Sequence, residues 1–330
     1  MGSKGRFRYV DARGNPIDDP EQLARIESLV IPPAWRDVWI SPRPRANLQA
    51  TGVDKAGRRQ YLYHPEFRAR QEQAKYDKLV RFAERLPELR VAMGEHMALD
   101  PLHPDRVSAT AVRLINLTWF RVGSERHTRR SHTYGLTTLT KSHVRVRGKR
   151  VAFRFRAKHR AHVRTAVVDA EIAAGVAELL RVPGGRQLFR YELDGELRNL
   201  TGRKLNEYIQ RHMGEEFTAK DFRTWGGTLE AAIAFAELGG PPDGVAAQKQ
   251  AVARVMRRVA ERLGNTPSVT RASYVSPAVV EQYLDGRTIE DFRPRHLRVV
   301  GARDSSLEVE EQAVLSLLRS ARIRQARAAA

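Results

Sequence analysis

Apolar and polar positions recur with two different periods along this chain, and the change of period divides it. Over roughly the first seventy residues the runs are short. Phe7 and Tyr9 ahead of the turn-forming Ala12 to Pro16 predict a strand and a reversal. Asp19 and Pro20 supply a helix start before an apolar face of Leu23, Ile26 and Leu29. The segments 47–51 and 59–63 alternate as strands on either side of Asp54 to Gly57, a hairpin signal. After His64 and Pro65 the spacing becomes three and four. The stretch 66–86 places Phe67, Tyr76, Leu79, Val80 and Phe82 near one helix face. Further helices are predicted over 107–119, 168–180, 204–213, 229–238 and 252–263, with stripes that read as core-packing faces. Between Leu136 and Arg164 strand alternation returns, with Val144 and Val146, then Val151, Phe153 and Phe155, predicting a hairpin or three-stranded sheet. The fold class is therefore α+β: a small β-rich N-terminal domain over 1–70 and a larger, mainly helical domain over 71–330.

Charge adds a partner to this picture. The chain of 330 residues carries 58 Lys and Arg against 38 Asp and Glu, a net charge of +20. Such an excess points to a polyanion. A membrane surface would require a long apolar run or a basic amphipathic helix with an apolar face to insert, and neither is present in the sequence. Nucleic acid is the remaining candidate. The start, MGSKGRFRYV, has no apolar signal core, and there is no cysteine, so the chain reads as cytoplasmic and free of disulfides. The histidines show no metal-ligand spacing, and no phosphate-binding Gly-rich loop ending in Lys and Ser or Thr occurs. Neither a metal cofactor nor a nucleotide is indicated. From Lys141 to Arg164 there are ten Lys or Arg and no carboxylate. A one-sign hairpin repels itself unless an anion offsets the repulsion, which favours phosphate contact over ordinary solvation.

A phosphodiester can be cut without metal when a side-chain nucleophile attacks phosphorus, cations stabilise the developing charge, and an acid protonates the leaving oxygen. Spacing alone does not select these groups from so many basic residues and nine tyrosines. A series of motifs does. Ile31 to Ser41 (IPPAWRDVWIS), Asp54 to Phe67 (DKAGRRQYLYHPEF) and Lys75 to Leu79 are followed by Phe120 to Gly123 (FRVG) and Tyr134 to Leu139 (YGLTTL). Then come Phe155 to His162 (FRAKHRAH), Lys220 to Thr228 (KDFRTWGGT) and Leu263 to Tyr274 (LGNTPSVTRASY). In this order they resemble the type IB DNA topoisomerases of the compact poxvirus and bacterial kind. The resemblance implies the catalytic fold that this family shares with tyrosine recombinases, located in the larger domain. The implied partner is duplex DNA clamped by a monomer.

Carried over position by position, the resemblance implies that Arg121 and Arg223 clamp the scissile phosphate, a task suited to a planar guanidinium fork. Lys158 matches the general acid. It stands among Arg154, Arg156 and Arg160, candidate DNA contacts whose charges ease loss of its proton. Asn265 occupies a position where poxvirus members carry histidine, and its amide can still donate a hydrogen bond to a phosphate oxygen. It also sits where Gly264 ends one helix and Thr266 and Pro267 begin the next. Tyr274 is implied as the nucleophile, and Lys220 as a further phosphate contact. In the N-terminal domain Gln60, Tyr61 and Tyr63 match DNA-contacting positions, an amide for a base edge and rings for packing. Alternation along a strand puts the two tyrosines on one face. Two other readings stand beside this one: a tyrosine site-specific recombinase and a non-enzymatic duplex-binding protein. The IPPAWRDVWIS module argues against the first, and the complete set Arg121, Lys158, Arg223 and Tyr274 argues against the second.

Overall fold

A computed structural model describes residues 7–158, 161–293 and 307–329. The chain divides into two compact units, residues 1–76 and 77–330.

In the first unit, helix α1 (Pro20–Ser28) is capped by Asp19, whose carboxylate accepts the Glu21 N–H at 3.0 Å. Strands β1 (Arg36–Ile40), β2 (Leu48–Val53) and β3 (Arg59–Tyr63) form an antiparallel sheet in that order. The β2–β3 hairpin turns on Asp54, whose carboxylate accepts the N–H groups of Ala56 at 2.9 Å and Arg58 at 3.0 Å. The strand expected around Phe7 and Tyr9 is reduced to a single bridge between Val10 and Pro16. Strand β1 lacks the alternation that would have announced it: its register against β2 shifts between Arg36 and Trp39, and Asp37 has a φ of 50°. Helix α2 (Pro65–His96) begins in this unit and continues into the next, so the boundary expected near residue 70 falls inside a continuous helix.

The second unit is built on helix α3 (Pro104–Thr118), buried at Val107 to Val112 and again at Leu114 and Ile115. Phe82 of α2 packs edge-on against Phe217 and Phe222, with ring centroids 5.8 and 4.9 Å apart. After the short helix α4 (Glu125–Ser131), strands β4 (Val144–Arg147), β5 (Arg150–Arg156) and β6 (His162–Val168) form a three-stranded antiparallel sheet. Helix α5 (Ala170–Arg181) follows, then the β7 (Arg190–Leu193) and β8 (Glu196–Asn199) hairpin and α6 (Gly202–Met213). The remaining helices are α7 (Ala219–Leu238), α8 (Val245–Leu263), α9 (Pro267–Ser273), α10 (Pro277–Leu284) and α11 (Val309–Ala329).

The mixed architecture agrees with the expected class, with local corrections. The helix expected from Val168 starts at Ala170, because Val168 completes β6 and Asp169 caps α5 by accepting the Ile172 N–H at 2.9 Å. The helix expected from Leu229 starts at Ala219, through a Trp225-Gly226-Gly227 sequence that resembles a break. Helix α3 ends at Thr118, so Arg121 lies in the following loop and not at the helix end. Among the described residues no helix is long and apolar enough to cross a membrane.

Candidate active site

Helix α7 carries Lys220, Arg223 and Gly227 at spacings of three and four, on one face. Lys220 is exposed in the first turn, whereas Arg223 is only 5% exposed. Burying a guanidinium requires compensation. Arg223 Nη1 donates to the carbonyl of Trp119 and Nη2 to that of Leu263 at 2.9 Å. The glycines beyond it admit close neighbours. A Cβ on Gly226 would lie 2.1 Å from the Trp119 indole, and one on Gly227 would lie 2.7 Å from the Tyr274 carbonyl oxygen. The WGGT motif is thus a surface onto which two other segments fit.

The loop after α3 delivers Arg121. Phe120 packs edge-on against Phe153 and Phe155 of β5, with centroids 5.4 and 5.2 Å apart, and anchors the loop to the basic sheet. Backbone bonds from Leu136 to the Arg121 carbonyl and from Thr137 to the Val122 carbonyl tie it to the GLTT segment. Arg121 Nη2 donates to the carbonyl of Gly264 at 2.8 Å and to Asn265 Oδ1. Since a guanidinium only donates, this contact assigns the amide oxygen of Asn265 to the arginine side. Its nitrogen, Nδ2, is buried with no hydrogen-bond partner, as is Arg223 Nε. Both are donors without an acceptor. In a folded interior such groups are rare and costly.

Tyr274 is the C-cap of α9, and its backbone is strapped to α7. The Thr228 hydroxyl donates to the Tyr274 carbonyl at 3.3 Å and accepts the Ser276 N–H at 3.1 Å. The half-buried phenol ring lies with its centroid 5.1 Å from the Arg223 guanidinium carbon. Burial, followed by the like charge of Arg121, pulls Arg223 down to about 10, with Tyr274 opposing the shift. Arg121 is lowered by its own burial, again opposed by Tyr274. Both stay cationic at neutral pH. Among the described residues neither has a carboxylate partner. The two guanidiniums, with the unpaired Arg223 Nε and Asn265 Nδ2 beside the Tyr274 phenol, make an arrangement that can receive a tetrahedral anion next to a hydroxyl.

Lys158 does not join this cluster. It stands exposed on the β5–β6 connection, closed by the Ala157 N–H to Ala161 carbonyl bond of 2.7 Å, and its side chain makes no hydrogen bond or ion pair with another described residue. Arg154 and Arg156 are exposed on β5, opposite Arg164 and His162 of β6. Phe153 and Phe155 point to the other, buried face. Arg160 lies outside the described residues. In the first unit Tyr61 and Tyr63 are 51% and 41% exposed and stack at 6.3 Å with an interplanar angle of 15°. Gln60 faces the other way along the strand and donates to Asp54 Oδ2 at 2.9 Å, so it is not grouped with the tyrosines.

Sequence reasoning passed over two residues that shape this centre and others that lie outside it. Trp119 and Thr228 gave no periodic signal, since both read as helix or core. Trp39 of β1, 49% exposed, pairs in register with Thr51, which pairs with Tyr61, and so extends the exposed aromatic face. Its strand had no alternation to announce it. The exposed Arg126, Arg129 and Arg130 of α4 were legible only as local charge.

Comparison with known proteins accords with this geometry. Residues 64–292 match the family model of the catalytic core of eukaryotic DNA topoisomerase I, and residues 6–54 match that of the N-terminal domain of bacterial DNA topoisomerase IB. The chain is 30% identical over 290 residues to the DNA topoisomerase 1B of Acanthamoeba polyphaga mimivirus, spanning 86% of this chain and 85% of that protein. It is 22% identical over 279 residues to the DNA topoisomerase 1B of Vaccinia virus (strain Copenhagen) and the DNA topoisomerase I of Monkeypox virus. Both matches span 82% of this chain and 85% of the viral protein.

Proposed function

Because the chain belongs to the type IB DNA topoisomerase family, we propose that Tyr274 is its nucleophile and that Arg121, Arg223 and Asn265 hold the scissile phosphate of a DNA duplex. The observation that carries this assignment is the unpaired pair of buried donors, Asn265 Nδ2 and Arg223 Nε, in a pocket of positive charge beside the phenol. A phosphodiester oxygen supplies the acceptor each lacks. In the reaction the bond from phosphorus to the Tyr274 oxygen forms as the bond to the 5′ oxygen breaks, the phenol giving up its proton. Lys158 protonates the departing 5′ oxygen. Its exposed place on the connection beyond β5 suits a group that enters the site when DNA is bound. The phosphotyrosine conserves the energy of the broken bond, the free end rotates, and attack by the 5′ hydroxyl restores the strand. Neither ATP nor a metal is assigned a step.

We read the chain as a cytoplasmic monomer, both of whose units engage one duplex. Its net charge of +20, the one-sign outer face of the β4–β6 sheet and the exposed tyrosine pair support the contact with DNA. The test is relaxation of supercoiled plasmid by the pure protein in EDTA without ATP. Wild type relaxes the plasmid and Tyr274→Phe does not. A wild type without activity refutes the assignment, and an active Tyr274→Phe refutes the nucleophile. Denatured reactions should leave protein on the 3′ end of the cut strand, and attachment to the 5′ end would contradict the stated polarity.

A further inference from the structure

Trp119 sits one residue past α3 in the left-handed region, with φ 53° and ψ 32°. Such a conformation is uncommon for a large side chain and persists only where its surroundings over-determine it. Here they do. The indole lies on the face of α7 opened by Gly226. The Arg262 guanidinium of α8 covers the ring at 4.1 Å from its centroid. Arg262 is itself paired with Glu230, a buried carboxylate one turn beyond Gly226 on α7 that also accepts from Arg258 at 2.8 Å. The reversal at Trp119 turns its carbonyl toward Arg223 Nη1. Leu263, next to Arg262, provides the second carbonyl that Arg223 uses, at 2.9 Å. One stack of Gly226, Trp119 and Arg262 thus fixes both acceptors that aim the guanidinium.

We propose that Trp119, locked between α7 and Arg262, is a positioning residue for the transesterification and acts by holding Arg223 in its phosphate-binding orientation. Arg223 keeps Nε free for the phosphate because its two Nη groups are held by these two carbonyls. Loss of the stack lets the guanidinium move, and misplacement of a cation by a fraction of an ångström costs rate more than binding.

This inference rests on the assignment of Arg223 as a phosphate clamp, and a double-mutant cycle separates the two. Single-turnover cleavage of a duplex oligonucleotide and noncovalent duplex affinity are measured for Trp119→Leu, Trp119→Phe and Arg262→Ala. Each is made alone and in the Arg223→Ala background. Trp119→Leu should slow cleavage about a hundredfold and Arg262→Ala about tenfold, with duplex affinity within about twofold of wild type, while Trp119→Phe restores most of the rate. In the Arg223→Ala background the same changes should cost less than about twofold more. Arg262 is half exposed and Glu230 keeps Arg258, so Arg262→Ala keeps the question open to test if Trp119→Leu does not fold. Full additivity in the Arg223→Ala background, or wild-type rates for folded Trp119→Leu or Arg262→Ala, overturns the inference alone. An unchanged rate in Arg223→Ala overturns the clamp assignment and this inference with it.

Discussion

Arg121 donates to the side-chain oxygen of Asn265, and that contact turns the amide nitrogen into a buried donor with no partner. The asparagine is therefore oriented before any ligand arrives. Replacing it with alanine removes one donor from the phosphate and should slow single-turnover cleavage about a hundredfold to a thousandfold. Asn265→His, which retains a ring N–H, should cleave at the wild-type rate or faster. A large loss in Asn265→His would mean that the amide serves the α8–α9 junction and not the phosphate.

Burial of the Arg223 guanidinium, and after it the like charge of Arg121, is a cost that the free protein bears. Folding lowers Arg223 to about 10, below its unfolded value, so its charged form disfavours the fold at neutral pH, and the penalty begins to be relieved only as pH rises above about 10 toward the unfolded value. An anion bound between the two guanidiniums offsets it. Inorganic phosphate should therefore raise the Tm of wild type at pH 7 in a saturable way, by mass action on the folded state. The Arg121→Ala, Arg223→Ala double variant should show only the shallow, unsaturable rise common to excluded salts. Equal rises in both proteins would show that the pocket holds no anion.

Much of this centre was legible in the sequence, and the limits have physical causes. Ordered motifs located Arg121, Arg223, Asn265 and Tyr274, and the Gly264 and Thr266-Pro267 signals placed the α8–α9 junction correctly. Hydrophobic period identified α6 and α8, each of which buries one stripe, and also α3, which is buried on nearly every side. It failed at α7, where Gly226 and Gly227 mimic a break although they exist to admit the Trp119 ring and the Tyr274 backbone. It failed at β1, where the pairing shift destroys alternation. No local pattern reports that a tryptophan carbonyl, turned by a left-handed φ, will meet an arginine more than a hundred residues away.

Lys158 stands apart from the four clustered residues, so its role depends on the bound state. Lys158→Ala should slow cleavage of ordinary DNA by about a hundredfold to ten-thousandfold, the usual range for a general acid. A substrate whose bridging 5′ oxygen is replaced by sulfur expels a thiolate that needs no proton. On that substrate Lys158→Ala should approach the wild-type rate, while Arg223→Ala stays slow. An equal defect on both substrates would reduce Lys158 to a phosphate contact.

Glu311 ties α11 to the rest of the second unit. Its carboxylate, 5% exposed with its residue, receives both Nη groups of Arg90 at 2.8 Å and the Trp225 indole N–H at 3.2 Å. Removing the carboxylate breaks a buried ion pair and takes the acceptor from the Trp225 indole N–H, so Glu311→Ala should cost about 1–3 kcal/mol in urea unfolding. Trp225 lies two positions from Arg223 on α7, yet the backbone of that helix is held independently at Thr228 and Gly226. Below its lowered midpoint the variant should therefore keep near-wild-type cleavage. A rate loss without a stability loss would assign Glu311 to the chemistry.

On the proposed reading the exposed tyrosines of β3 serve affinity rather than rate. Tyr61 and Tyr63 stack on each other, and Tyr63 leans on Phe67 at 5.4 Å, so the pair is held ready on a face that also carries Trp39 and Arg59. Packed against the sugars and base edges of a duplex, each such ring would contribute about 1–3 kcal/mol of apolar burial. Tyr61→Ala and Tyr63→Ala should each weaken noncovalent duplex binding about fivefold to a hundredfold and leave the salt dependence of binding unchanged, because no charge is removed. Cleavage at saturating DNA should stay near wild type. Gln60→Ala should behave differently, since Gln60 lies on the opposite face and must leave Asp54 to reach a base edge. Its effect should be confined to discrimination at one base pair, measured by comparing cleavage across a set of single-position sequence variants. A uniform loss of affinity for Gln60→Ala across all sequences would place its contribution in the hairpin that Asp54 closes.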